Sequence, residues 1–305
     1  MKRIGKWMAW ICLAALLLIG LKNEYARLLP VSSYGMQAAI RKGKVSHLFI
    51  GSSMFRQGLS IDVLEEELEG NVYILSYNGN QPAFMAMELA YMLEEGLEIE
   101  NLYVDLYPYT AAALPWISDT KILLDTDLAF KWEAWELMRT CSGAKFPDFY
   151  ELFVTANNEQ LLTYPLNNRL VSGQFRNGGN TLCPSGQTKE HLDSLEMLGG
   201  RDGLQIAQLE GYQKLLELAG EHGIQVYFLE TPKFERMYRD RDYRELYEAS
   251  VQAVGELSGE SRTVLAEELD FDTSDASCFQ DLIHLSAKGR ETYTKLLCER
   301  GLKYP

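Results

Sequence analysis

The strongest constraint on the fold is an alternation that begins at residue 48, in which short apolar runs suited to buried strands are separated by stretches with helical spacing. Leu48-Phe49-Ile50 is the first run, and Gly51 breaks it into a loop. Ser60 is placed to cap a helix through Leu68 that stops at Gly70; Val72 to Leu75 then reads as a second strand, closed by the loop Asn78-Gly79-Asn80. Pro82 suits the first turn of a helix reaching Gly96, whose Phe84, Met85, Met87, Leu89, Met92 and Leu93 read as packing residues. A third strand, Leu102 to Leu106, completes a β-α-β-α-β order. That order predicts an α/β fold with a doubly wound parallel sheet, whose ligands collect at the carboxyl ends of the strands. Gly51-Ser52-Ser53, Gly79 and Asp105 all fall at such ends.

Between about Ala112 and Gly200 the alternation fails. This stretch carries Trp116, Trp132 and Trp135 and is punctuated by Asn157-Asn158, Asn167-Asn168 and Asn177-Gly178-Gly179-Asn180. It reads as an insertion over the site, either a lid or substrate platform, or a packed helical elaboration. The β/α pattern resumes with a helix from Leu204 to Leu218 and the strand Gln225 to Leu229, which runs into Glu230-Thr231-Pro232; helices after Pro232 and Ser286 finish the chain. The expected organisation is an anchor and juxtamembrane segment over residues 1–28 and one α/β domain over 29–305, with the insertion at about 112–200. A domain of that size buries a core without staples.

The first segment is basic and then apolar. Lys2, Arg3 and Lys6 precede an uncharged stretch from Trp7 to Leu21, which Lys22 closes. Its fifteen residues span about 22 Å as a helix, short of a hydrocarbon core of about 30 Å. Ile4 and Gly5 extend the apolar length while Lys6 and Lys22 reach the two interfaces, and no good small-x-small cleavage site follows. The expectation is an uncleaved, single-pass signal anchor, with the positive flank in the cytoplasm and everything after Lys22 outside.

The formal net charge is −14, from 29 basic and 43 acidic residues, which argues against nucleic acid as a partner. Cys141, Cys183, Cys278 and Cys298 permit three disulfide pairings outside the cell and fit no metal spacing, so a structural or merely buried role is expected.

Two short blocks carry chemistry. Ser53 stands where a strand opens into a loop, the exposed and sharply turned position that a nucleophile needs. Asp281-Leu282-Ile283-His284 places an aspartate three residues before a histidine, so that in one helical turn the carboxylate can fix the imidazole tautomer. Serine, aspartate and histidine together are the means of making an acyl-serine. His47, His191 and His222 lack a carboxylate at matching spacing and are expected in solvated or capping roles. Asp105 and Glu230 read as structural acceptors or site-edge groups. Arg56 and Asn80 can contact substrate, although Arg56 can equally pair with surface carboxylates.

These blocks resemble those of the SGNH or GDSL-type serine hydrolases, whose first block is Gly-Asp-Ser after the first strand and whose last is Asp-x-x-His near the C-terminus. Here they read Gly51-Ser52-Ser53 and Asp281-Leu282-Ile283-His284, and the run through Leu285-Ser286-Ala287-Lys288-Gly289 is similar to the family's passage into its final helix. The resemblance implies a flavodoxin-like three-layer fold, Ser53 as nucleophile, His284 as base, Asp281 as its orienting acid, and no metal or organic cofactor. Gly79 fills the family's second block, its backbone N–H helping to hold an oxyanion. The third block, Gly-x-Asn-Asp, is missing: after Leu102-Tyr103-Val104-Asp105-Leu106 comes Tyr107-Pro108-Tyr109, and Asn80 is the nearest candidate in sequence for the absent donor.

Within the family the chain looks most similar to membrane-anchored surface members that acylate cell-wall or exported polymers, such as the teichoic-acid D-alanylation proteins and the alginate-acetylation type. That likeness implies an acyl donor, a glycan or other hydroxyl acceptor, and a membrane-bound acyl-transfer partner. The alternative is a catalytically silent binding or assembly protein of the cell surface that keeps the fold; a secreted lipase is a third reading, weakened by the lack of an acyl-binding apolar stretch beyond the anchor.

Overall fold

The computed structural model describes residues 2–30, 33–171, 173–259 and 261–302. Its five-stranded sheet is parallel throughout, built from β1 (Lys44–Gly51), β2 (Val72–Ser76), β3 (Glu98–Asp105), β4 (Gln225–Leu229) and β5 (Arg262–Val264) in the order 2-1-3-4-5. The helices used below are α1 (Lys2–Leu28), α2 (Ser53–Gly58), α3 (Pro82–Glu94), α4 (Leu128–Ser142), α5 (Asn158–Asn167), α6 (Ile206–His222), α7 (Arg241–Ser258) and α8 (Ala287–Leu296). The doubly wound α/β expectation therefore holds. In this strand order the chain reverses direction across the sheet between β1 and β3, which opens a crevice beyond their carboxyl ends.

Strand residues divide by parity between two cores. Leu48, Ile50, Leu102, Val104, Val226 and Phe228 face the layer holding α3 and α6. Phe49, Tyr103, Tyr227 and Leu229 face the other, together with Tyr293 of α8. Phe49, Tyr103 and Tyr227 stack across three neighbouring strands, with ring centroids 4.2 and 5.0 Å apart. Burial on both faces explains why β1 and β4 read as continuous apolar runs rather than as alternations.

Three strands depart from the sequence reading. Strand β1 begins at Lys44, four residues before the expected Leu48, because Lys44, Ser46 and His47 break any apolar run there. Strand β3 begins at Glu98, four residues before the expected Leu102, because its first half alternates exposed glutamates with buried positions and presents no apolar run. Strand β5 was not expected at all: of its three residues only Val264 is buried.

The insertion is a helical elaboration with one small hairpin. It contains a 3-10 turn (Thr120–Leu124), α4, a π-helical turn (Tyr150–Thr155) and α5, followed by short strands at Phe175–Arg176 and Gly179–Asn180. The hairpin covers the free edge of β2, where Ile74 N–H donates to Asn177 O at 3.0 Å. A Cβ on Gly178 would lie 2.0 Å from Ile74 O, so only glycine allows that approach.

Among the described residues, one helix is long and apolar enough to cross a membrane: residues 5–28 within α1. Its Trp7, Trp10, Leu16, Leu17 and Leu18 are exposed. Cys12, Cys141, Cys183 and Cys278 form no disulfide among the described residues, and Cys278 and Cys298 are buried.

Candidate active site

Ser53 is the first residue of α2, immediately beyond the carboxyl end of β1. Gly51 makes this possible, since a Cβ there would come within 2.7 Å of both Asp105 Cβ and the Phe55 ring. The preceding serine has a different fate. Ser52 is 1% exposed; its N–H donates to Asp105 Oδ2 at 3.0 Å, its hydroxyl donates to the same oxygen, and its Oγ accepts from Met54 N–H at 3.2 Å as the helix N-cap. One serine is consumed in fixing the turn, and the other is left half-buried at its apex.

Residues 281–284 do not form the helical turn expected from their spacing. They lie in a loop closed by a bridge between Phe279 and Leu285 and by Gln280 N–H donating to His284 O at 2.9 Å. Asp281 organises that loop: Oδ1 accepts from the N–H groups of Ile283 and His284, each at 2.8 Å. An aspartate's capacity to cap the N–H groups two and three residues on brings the two side chains together without a helix. The loop is pinned from below by Phe234 N–H donating to Leu282 O at 3.0 Å.

The two blocks meet. His284 Nδ1 is 2.8 Å from Asp281 Oδ2, and Nε2 is 2.9 Å from Ser53 Oγ. The carboxylate can only accept, so Nδ1 carries the proton and the neutral ring leaves Nε2 to accept from the serine hydroxyl. Burial tends to raise the Asp281 pKa, but the hydrogen bond and charge of His284 and the two backbone donors outweigh it and hold the carboxyl below its usual value.

Gly79 and Asn80 form a rim beside this centre. Gly79 adopts φ +64, and a Cβ would sit 3.0 Å from Ser118 Oγ of the insertion. Asn80 lies next to it, but it is 5% exposed and its Nδ2 donates to Glu88 Oε2 at 3.0 Å. Burial drives the Glu88 pKa well up. The structure thus gives the Asn80 amide a buried partner behind the loop.

Arg56 is likewise committed inward. It is 7% exposed, donates to Tyr34 OH and Ser76 O, and pairs with Asp119 Oδ2 at 3.3 Å. Its guanidinium also lies 5.2 Å from the Tyr34 ring centroid. The pairing with a surface carboxylate is replaced by a buried one, because Asp119 of the insertion folds under the Gly79 loop and accepts from Asn78 N–H at 3.2 Å. Arg56 and Asp119 therefore position the rim.

Residues that the sequence did not single out complete the surroundings. Gln81 accepts from Trp116 N–H at 3.0 Å and from Gln208 Nε2 at 3.0 Å, while Gln208 also donates to Ala113 O at 2.8 Å, so two buried amides clamp the start of the insertion. Lys233, just beyond β4, is fully buried with Nζ donating to Thr231 O and lying 5.1 Å from the Tyr107 ring centroid. Burial lowers its pKa, opposed by the Glu230 and Asp105 carboxylates. Burial raises that of Asp105, opposed first by the Ser52 hydroxyl and then by Lys233. A buried lysine after a proline gives no sequence signal that separates it from a surface one.

Glu230, His47 and His222 have structural partners, and His191 is exposed. Glu230 accepts from Tyr238 OH at 2.6 Å, Tyr247 OH at 3.0 Å and Ala266 N–H at 2.9 Å. His47 bridges Tyr103 OH and Glu69 O, and His222 Nδ1 meets Leu218 O at 3.0 Å.

No family profile and no curated protein sequence matches the chain. Among solved structures 24 chains match. One, described as "a putative platelet activating factor from Streptococcus pneumonia", superposes with a TM-score of 0.40 at 12% identity, covering 98% of this chain and 97% of its own. A likeness at that level carries no argument about activity.

Proposed function

We propose that this chain is a membrane-anchored, extracytoplasmic serine esterase or O-acyltransferase of the SGNH type, acting on a cell-envelope or exported glycan through an acyl-serine. The observation that carries the reading is the continuous relay Ser53 Oγ, His284 Nε2, His284 Nδ1, Asp281 Oδ2, in which a 2.9 Å link joins segments 231 residues apart and a 2.8 Å link orients the ring within its own loop. Buried hydrogen bonds elsewhere do not require a serine hydroxyl, an imidazole and a carboxylate in this order at the mouth of a β1/β3 crevice.

In the proposed reaction Ser53 Oγ attacks the ester carbonyl while its proton passes to His284 Nε2, and Asp281 stabilises the imidazolium. The oxyanion is held by the Ser53 N–H, which lacks an intrahelical acceptor at the first position of α2, and by the Gly79 N–H. Collapse of the intermediate expels the alcohol, which takes the proton back from His284 and leaves an acyl-Ser53. Water, or a hydroxyl of the acceptor, then adds to the acyl carbonyl as His284 takes its proton, and Ser53 leaves reprotonated. With the asparagine block missing and Asn80 turned towards Glu88, this oxyanion site has backbone donors only. Loss of one donor typically slows acyl transfer by about a hundred- to a thousand-fold.

An oxyanion site with backbone donors only, and an insertion packed against the Gly79 loop through Ser118 and Asp119, would favour an acyl-enzyme that waits for a hydroxyl acceptor. Mass spectrometry of the products of a small activated ester, with and without an envelope glycan, tests this. Slow release of free acid and acylated glycan on addition of acceptor are expected; fast release of acid, indifferent to acceptor, would leave a plain esterase.

A further inference from the structure

Helix α1 does not end where its apolar run ends. It continues unbroken from Lys2 to Leu28, and its last turns belong to the folded domain. Asn23 and Ala26 are buried, and Ala26 and Leu29 pack with Leu124, Leu161, Tyr164 and Leu170 of the insertion. Lys22 Nζ donates to Val154 O at 3.1 Å and Ala156 O at 2.5 Å, and Tyr25 OH to Leu161 O at 3.4 Å. Lys131 of α4 reaches across to Asn23 Oδ1. The domain thus has no hinge at this junction, and the direction of α1 decides which of its faces lies nearest the apolar segment.

That face carries unpartnered apolar side chains. A cavity of about 360 Å³ is lined by Leu18, Ile19, Lys22 and Tyr25 of α1 together with Leu161 and Leu162 of α5. Leu162 therefore stands beside residues that precede Lys22 in the apolar run. Leu162 is 77% exposed and Leu166, one turn on along the same helix face, is 88% exposed. A second, smaller cavity brings Leu128 beside Ile19 in the same way. Leu128 and Trp132 form another exposed pair at the same spacing, on α4. Single exposed leucines need no explanation, but two such pairs flanking an apolar helix form a surface.

We infer that this face of the insertion rests on the lipid bilayer, with Leu128, Trp132, Leu162 and Leu166 in the interfacial layer around α1. The occupant is lipid because Leu162 and Leu128 share the depth of Leu18 and Ile19, which the anchor reading places in hydrocarbon; the inference rests on that reading. It has a consequence for substrate. Ser118, against Gly79, and Leu124, against Ala26, are six residues apart, so the Gly79 loop lies within about 30 Å of the last turns of α1, which continue into the apolar segment. Acceptors carried at or tethered to the membrane surface are then the class within reach.

The test uses the full chain in lipid nanodiscs, with Cys12, Cys141 and Cys183 replaced by Ala or Ser. A fluorophore is placed in turn at Leu162→Cys, Leu166→Cys, Leu17→Cys on the anchor and Glu248→Cys on α7, all exposed positions where a label leaves packing intact. Nitroxide on lipid headgroups should quench the Leu162 and Leu166 labels at least about twofold more than the Glu248 label, as for groups buried in the interfacial layer, while aqueous iodide does the reverse. If both α5 labels behave like Glu248 while Leu17 stays shielded from iodide, the docking inference is overturned and the anchor stands. If iodide also reaches Leu17, the anchor reading fails and the inference with it.

Discussion

The carboxyl edge of the sheet and the insertion beside it are held by different means. Around Ser53 and His284 many of the constraints are short-range: Ser52 caps its own helix, and Asp281 caps the two N–H groups next to it while orienting the ring, with Asp105 and Phe234 as the distant supports. The insertion is held by distant partners: Ile117, Leu123, Phe130, Trp135, Met138 and Phe153 pack into the larger core, Asp119 pairs with Arg56, and the backbone at Ala113 and Trp116 is clamped by Gln208 and Gln81. Local loops on strand ends can lose a reacting group and keep their shape. A buried carboxylate such as Asp119, shared between Arg56 and Lys121, loses part of its compensation when either cation is removed. Chemistry and architecture should therefore separate under mutation, the first at the sheet edge and the second at the insertion.

The largest effect is expected at the base. His284→Ala should lower turnover of an activated ester by on the order of 10⁴- to 10⁶-fold, with thermal unfolding little changed by calorimetry. Unfolding in place of inactivation would break the comparison. Asp281→Asn follows, with a loss of about 10⁴-fold, because the amide can still accept the two backbone N–H bonds but offers the ring the wrong partner. Its pH dependence carries a sign: the Asp281 carboxyl, held below its ordinary value, favours the folded state above the unfolded carboxylate range and loses that contribution as pH falls through the native value. The wild type should thus lose stability relative to Asp281→Asn on acidification, a difference that denaturant melts can measure.

On the other side, Arg56→Met should cost about 1–3 kcal/mol of stability, since Asp119 keeps Lys121 at 3.1 Å and Ser76 O keeps the Tyr34 hydroxyl, but each loses a buried guanidinium donor. Chemical denaturation reads this directly; a change within error would mean that the insertion does not depend on the pair. Ser52→Ala should cost about 1–3 kcal/mol through Asp105, which loses a buried donor, and should leave a substantial part of the activity. The smallest effect is expected at Glu88. Its native pKa is raised by burial, so the folded state keeps a proton that the unfolded chain releases, and native stability declines as pH rises above the unfolded carboxylate range. Glu88→Gln removes that decline, raising the melting temperature modestly at pH 8 and not at pH 4.

Much of the sheet edge was legible because its signals are local. Gly51 after an apolar run and Pro82 at a helix start each carry their structural reason within a few residues. Ser53, Asp281 and His284 could be named for the same reason, although the turn joining the last two is an aspartate-capped loop and not a helix. The rim was less legible. Arg56 and Asn80 were named as substrate contacts, yet they are turned inward by Asp119 and Glu88, partners that only the fold brings within reach. Asp119, Gln81, Gln208 and Lys233 gave no signal, since a polar residue buried by distant segments looks in sequence like one on the surface. The packing of the last turns of α1 gave no signal, because Asn23 and Lys22 look like a solvated flank until the insertion is folded against them.

The central claim is that Ser53, and not its buried neighbour, is an activated nucleophile. Reaction of the purified full chain with a fluorophosphonate, followed by peptide mapping, tests it most directly. The account predicts a single adduct on Ser53 that is absent in Ser53→Ala and His284→Ala and retained in Ser52→Ala. An adduct on Ser52, or no adduct in a protein shown to be folded, would contradict it.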